Sequence, residues 1–178
     1  MNSKVKIIYA FIDSQNLNLS VHKDIVNNDT GKLIYSGWKL DFRRFFIYLK
    51  DKYKVDKSFM FIGRVAGNES LYRFLEQVGY IVIYKPTLDY SVGKEKFTKG
   101  NVDAELVLHT MIEFQNYNKA IIVSGDGDYY CLIEYLEKQN KLFHIVIPNK
   151  MSYSSLLRKY RRYFVYVSDL KGKLEYRI

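Results

Sequence analysis

Acidic residues stand at three places in this chain where they could meet. One stretch reads Ala10-Phe11-Ile12-Asp13-Ser14-Gln15-Asn16, an apolar run that ends in acid. A second reads Ser124-Gly125-Asp126-Gly127-Asp128 and follows the apolar run 120–123. The third acid, Asp103, follows Lys99-Gly100-Asn101-Val102 and opens a helical pattern. Carboxylates brought together repel, so a cluster of them usually holds a cation. Oxygen-only ligands favour Mg²⁺ or Mn²⁺ over zinc. The three histidines, His22, His109 and His144, have no zinc-site spacing, and Cys131 is the single cysteine.

Each acid also has a plainer reading. Asp13 and Asp103 fit as helix N-caps, and Gly125-Asp126-Gly127-Asp128 fits as a turn. Some other sites are excluded. In a calcium loop the positions after Asp128 would need an oxygen ligand and a glycine, but Tyr130 and Cys131 stand there. No Gly-x-x-x-x-Gly-Lys-Ser/Thr occurs, so a P-loop nucleotide site is out. An aspartyl phosphotransferase of the haloacid-dehalogenase type wants a second Asp where Gln15 stands.

The elements that must carry these acids can be read from pattern. Apolar runs at 6–12, 57–62, 80–84, 119–123, 142–147 and 163–167 predict strands. Helices are expected at 42–53, 68–78, 103–114, 129–139 and 154–162, with Asp41 and Asn68 as caps and Gly79 as a stop. In helix 103–114 the apolar positions are Leu106, Leu108, Met111 and Ile112. In helix 154–162 Leu156, Leu157 and Tyr160 are expected to face the core. Residues 14–35 read as a helical turn and a loop, 86–100 as a long loop, and the tail 170–178 as a hairpin around Lys171-Gly172. Cys131 is expected in the core. Strands alternating with helices mean βαβ units: an α/β fold with a mostly parallel sheet covered on both faces. In such sheets ligands bind outside the carboxyl ends of the strands, where two of the acidic stretches fall.

Length and composition agree. At 178 residues, 48% hydrophobic and 26% charged, the chain predicts one globular domain spanning 1–178. No apolar run approaches the ~18 residues that cross a bilayer, and the N-terminus has no signal-peptide core. We therefore expect a soluble cytoplasmic protein with no membrane partner. The net charge is +9, with 17 Tyr and 11 Phe. Cations suit phosphates and aromatic faces suit bases, so nucleic acid is a candidate partner.

Three motifs in order resemble a known family. They are Phe11-Ile12-Asp13-Ser14-Gln15-Asn16-Leu17, Lys99-Gly100-Asn101-Val102-Asp103 and Ser124-Gly125-Asp126-Gly127-Asp128-Tyr129. With Ser154-Ser155-Leu156-Leu157 and Tyr163-Phe164, they resemble the NYN domain of the LabA-like group, a branch of the PIN-like nuclease superfamily, over residues 5–170. The resemblance implies a Rossmann-like three-layer α/β/α sandwich and a metal-dependent ribonuclease. It also implies that Asp13, Asp103, Asp126 and Asp128 form the catalytic, metal-holding cluster, with Asn16 as polar partner. The chain departs from the family pattern at two points: Asn101 is inserted between Gly100 and Val102, and His109 stands where many relatives have an acid.

The implied reaction is hydrolysis of RNA phosphodiesters, with one or two Mg²⁺ or Mn²⁺ ions on the four aspartates. Asn16 and Ser124 would contact phosphate or water. Lys94, Lys96 and Lys99, and a stripe of Arg158, Arg161 and Arg162, are the candidate RNA contacts. A catalytically decayed RNA-binding or adaptor domain is the alternative, favoured by His109. A small-molecule phosphoesterase is a third reading, against which the charge of +9 argues.

Overall fold

Six parallel strands form the centre of the molecule, in the sheet order Phe164–Tyr166, Leu142–Ile147, Lys119–Val123, Ile8–Asp13, Lys57–Arg64, Ile81–Pro86. The computed structural model describes residues 6–86 and 102–177, and between them the backbone of 88–92 and 95–99. The strands are β1 (Ile8–Asp13), β4 (Lys57–Arg64), β5 (Ile81–Pro86), β8 (Lys119–Val123), β9 (Leu142–Ile147) and β10 (Phe164–Tyr166). β1 pairs with β4 on one side and β8 on the other, so every residue of β1 is buried.

Alternation along β1 divides the core in two. Ile8, Ala10 and Ile12 pack with α1 (Ser14–His22), α2 (Phe42–Tyr53) and α3 (Glu69–Val78). Tyr9 and Phe11 pack with α4 (Asp103–Ile112) and α5 (Tyr130–Lys138). The expected three-layer sandwich is therefore present. The chain leaves β1 in one direction, through β4 and β5, and then returns to β8. The carboxyl ends of β1 and β8 thus form a topological switch point.

Two glycines show why the sequence must bend where it does. Gly79 ends α3 at φ 115°, and a Cβ there would lie 2.7 Å from the Phe46 ring. At Gly127 a Cβ would collide with the Ser154 hydroxyl oxygen and lie 3.0 Å from the Ser154 Cβ, so any side chain here would force Ser154 to shift.

The structure corrects several expectations. Residues 14–35 hold a full helix, α1, and an antiparallel pair, β2 (Ile25–Val26) with β3 (Leu33–Tyr35). Ser and Asn are poor helix formers, but Asp13 caps α1, and Leu17 and Val21 anchor it in the core. The stretch 86–100 is not all loop. β6 (Leu88–Val92) and β7 (Glu95–Lys99) pair antiparallel, in keeping with the alternation of Leu88, Tyr90 and Val92 with Asp89 and Ser91.

In α4 the buried line is Val102, Leu106 and Thr110, while Leu108 and Ile112 are 58% and 59% exposed. Thr110 is tolerated inside because its hydroxyl donates to the Leu106 carbonyl at 2.8 Å. Residues Ser155–Tyr163 form a 3₁₀ segment with a kink at Tyr160, in which Leu157 and Tyr160 are buried but Leu156 is exposed. The tail is not a hairpin. α6 (Lys171–Leu174) buries Leu174, and Glu175 bridges to Leu40. Cys131 lies exposed on α5. Among the described residues, no helix is long and apolar enough to cross a membrane.

Candidate metal centre at the sheet switch point

Asp13 ends β1 and begins α1, so strand burial and helix capping meet in one side chain. Its Oδ1 accepts the Asn16 N–H at 2.9 Å. Asn16 in turn reaches across to the neighbouring strand exit, where its Oδ1 accepts the Gly125 N–H at 2.8 Å. The loop after β8 is held at further points. The Ser124 hydroxyl accepts the Asp126 N–H at 3.1 Å, and Asp126 Oδ1 accepts the Asp128 N–H at 3.1 Å. On its far side, the Ser154 N–H donates to the Gly125 carbonyl at 2.8 Å. These short polar side chains fold the loop that carries Asp126 and Asp128 back on itself.

Asp103, at the first turn of α4, comes to the same place from the other layer. Carboxylate oxygens of Asp103, Asp126 and Asp128 all lie within 4.8 Å of one another. Asp103 and Asp126 are half-buried and Asp128 is exposed. Three convergent carboxylate oxygens with no nitrogen or sulfur donor among them form a set that fits a hard divalent cation.

Asp13 stands behind this trio. It is 4% exposed, and burial raises its pKa above the usual carboxylate range. The hydrogen bonds from Asn16 and Tyr129 oppose that rise, and the charges of Asp103 and Asp126 add to it. Tyr129 links the two acids. Its fully buried hydroxyl lies 2.6 Å from Asp103 Oδ1 and 3.1 Å from Asp13 Oδ2. Burial, then the charge of Asp13 and the bond to Asp103, push the phenol pKa far up, so it remains a donor. Sequence reasoning missed this residue. The one available signal was an aromatic placed directly after Asp128, at the entry to a helix.

The remaining candidates are spread around the cluster. Ser124 is buried at 1% exposure, with its hydroxyl turned to its own loop. Lys94 lies outside the described residues. Lys96 and Lys99 belong to β7, described by its backbone alone. The three arginines do not form the α-helical stripe that their spacing suggested, because Ser155–Tyr163 is 3₁₀ and kinked. Arg162 turns to Glu137 of α5 at 2.7 Å, whereas Arg161 reaches the Tyr153 hydroxyl at 3.4 Å. His109 packs its ring against Phe61.

Comparison with known proteins agrees with this architecture. The chain is 24% identical over 172 residues to low amplitude and bright protein LabA of Synechococcus elongatus, covering 93% of this chain and 86% of that protein. A crystal structure of a protein of unknown function from Vibrio parahaemolyticus superposes with a TM-score of 0.68 at 20% identity, covering 94% of this chain and 96% of the other. The family model for the NYN domain matches residues 8–169, nearly the whole chain, and the protein belongs to that family, within the PIN-like nuclease superfamily.

Proposed function

We propose that this NYN domain is a ribonuclease that hydrolyses RNA phosphodiester bonds with Mg²⁺ or Mn²⁺. The observation that carries this reading is the convergence of Asp103, Asp126 and Asp128 at the switch point, with Asp13 behind them. Asp103, Asp126 and Asp128 would hold the cation. When bound, it would supply positive charge to the scissile phosphate and a water of lowered pKa. Tyr129 keeps Asp13 and Asp103 at a fixed separation. Asn16 and Ser124 hold the loop that presents Asp126 and Asp128, which is the work their hydrogen bonds support best. We read residues 1–178 as one domain acting on RNA in the cytoplasm, with the +9 charge drawing the polyanion.

The test is cleavage of single-stranded RNA with Mn²⁺ or Mg²⁺, with EDTA, and with Asp126→Asn. Activity should need the metal and vanish with the substitution. Activity that survives full chelation refutes the mechanism. A second reading, an RNA-binding domain with a decayed site, is favoured by His109, which offers Phe61 a ring and the cluster no carboxylate. It predicts RNA binding without cleavage or Mn²⁺ affinity.

A further inference from the structure

One strand along from the carboxylates, the same sheet edge opens into a groove with two compartments. The first, about 400 Å³, lies between the exits of β1 and β4 and the start of α3. It begins at Ser14, the residue after Asp13. Leu19, Phe42, Ile62, Val65 and Leu71 give it apolar walls, and Gln15, Asn18 and Asn68 bring amide side chains to it. The Asn68 side chain makes no capping bond to α3, although it stands at the cap position. One wall is preformed. The Tyr72 hydroxyl accepts the Val65 N–H at 2.7 Å and lies 3.1 Å from the Gly63 carbonyl, which fixes the β4–α3 connection.

The second compartment, also about 400 Å³, shares Asn18, Phe42 and Leu71 with the first and adds Lys39, Arg43, Phe74 and Tyr176, together with Asp41, whose carboxylate is held by Arg44 at 3.5 Å. Lys39 Nζ sits 4.3 Å from the centre of the Tyr176 ring, and the Arg43 guanidinium 5.7 Å from that of Phe74. Among the described residues, neither cation makes an ion pair with an acid.

An apolar slot rimmed by amides suits a nucleobase, whose faces are apolar and whose edges carry donors and acceptors. Cations beside aromatic rings suit the phosphate and base that follow in a single strand. We infer that this groove is the track of the RNA strand leading away from the carboxylates. The first compartment takes the base of the nucleotide beside the cleaved bond, and Lys39 and Arg43 take the next phosphate. The inference rests on the reading of RNA as substrate.

The test is a titration of full-length ¹⁵N-labelled protein with a five-nucleotide oligouridylate in EDTA, where nothing is cleaved. The side-chain amide signals of Asn18 and Asn68 should shift. Ribose 5-phosphate, which has no base, should leave Asn68 unmoved. Leu71→Trp, which fills the first compartment, should raise the oligonucleotide Kd about tenfold. If that variant does not fold, the wild-type shift map decides alone. Shifts confined to residues 153–162, or none, overturn the groove, as does wild-type affinity in Leu71→Trp. Concentration-dependent shifts of the groove signals without RNA would assign it to a second copy of the chain and also overturn it. The two readings fail separately. Groove shifts without metal-dependent cleavage refute the nuclease and keep the track, and cleavage with a silent groove does the reverse.

Discussion

Two banks flank the carboxylates, and their positive charges stand in different company. On the bank formed by residues 153–163, Lys159, Arg161 and Arg162 already have polar partners, and Arg158 is the exception among the described residues. Arg162 pairs with Glu137, and Lys159 with both Glu134 and the Tyr130 hydroxyl. Arg161 binds the Tyr153 hydroxyl, and that contact holds the phenol pKa below its usual value. On the bank formed by α1, α2 and α3, Lys39 and Arg43 lie over aromatic rings and, among the described residues, make no ion pair, the nearby Asp41 being paired with Arg44. A count of charges along the sequence favours the first bank. A cation already paired must exchange one anion for another, so it gains less from phosphate than one facing only a ring. The site between the banks is held by hydrogen bonds from backbone amides and the Tyr129 hydroxyl, several of them accepted by its own carboxylates.

The largest expected effects come from that site. Asp103→Asn or Asp126→Asn should abolish cleavage and Mn²⁺ binding while the far-UV circular dichroism is kept. Wild-type cleavage in both would move the site elsewhere in the molecule. Tyr129→Phe should be milder. It keeps the ring but frees Asp13 and Asp103 from their shared donor. Loss of such a supporting bond typically costs about 10–100-fold in metal affinity or activity. Titration with Mn²⁺ by electron paramagnetic resonance measures it, and unchanged affinity would make the phenol a packing residue only.

Smaller still is the effect of Asp13 on stability in metal-free buffer. Its folded pKa lies above its unfolded one because burial disfavours the charge. Folding therefore takes up a proton between the two values, and stability falls as pH rises through that window. Asp13→Asn removes the charge and keeps a good cap. In EDTA it should melt higher than wild type at neutral pH, and the gain should shrink as pH falls through the raised pKa and vanish below the unfolded-state value. Equal melting curves at both ends would show that Asp13 carries no buried charge.

Much of this arrangement was legible before the structure. The acids were found because each terminates a buried strand or opens a helix, and the ends of such elements are marked by abrupt changes from apolar to polar residues. Lys119–Val123 and Leu142–Ile147 lie where their apolar runs predict. Tyr129 was not legible, because an aromatic in a helix reads as core until the topology brings Asp13 and Asp103 to its hydroxyl. Leu156 and the arginine stripe were misread for a related reason. Side chains four apart share a face in an α-helix, whereas a 3₁₀ segment repeats every three residues. The groove had no local signal at all, since Ser14, Asn18, Ile62 and Asn68 are far apart in sequence and polar residues among them look like ordinary surface.

The smallest expected effect distinguishes the two banks directly. Each phosphate contact made by a cation contributes about 0.7 to the slope of log K against log salt for a single strand. Arg43→Gln should therefore flatten the slope by about 0.7 if the α1–α3 bank carries RNA. Arg158 and Arg161 have no acid partner among the described residues, so the double change to Gln flattens the slope by about 1.4 if both meet phosphate. Arg162 is different. Its ion pair with Glu137 holds the guanidinium 2.7 Å from a carboxylate on α5, and removing it should leave the slope unchanged. Fluorescence titrations of one labelled RNA at several salt concentrations read all three. A loss at Arg162 equal to that at Arg43 would show that the Glu137 pair opens for RNA, and the contrast between the banks would fall.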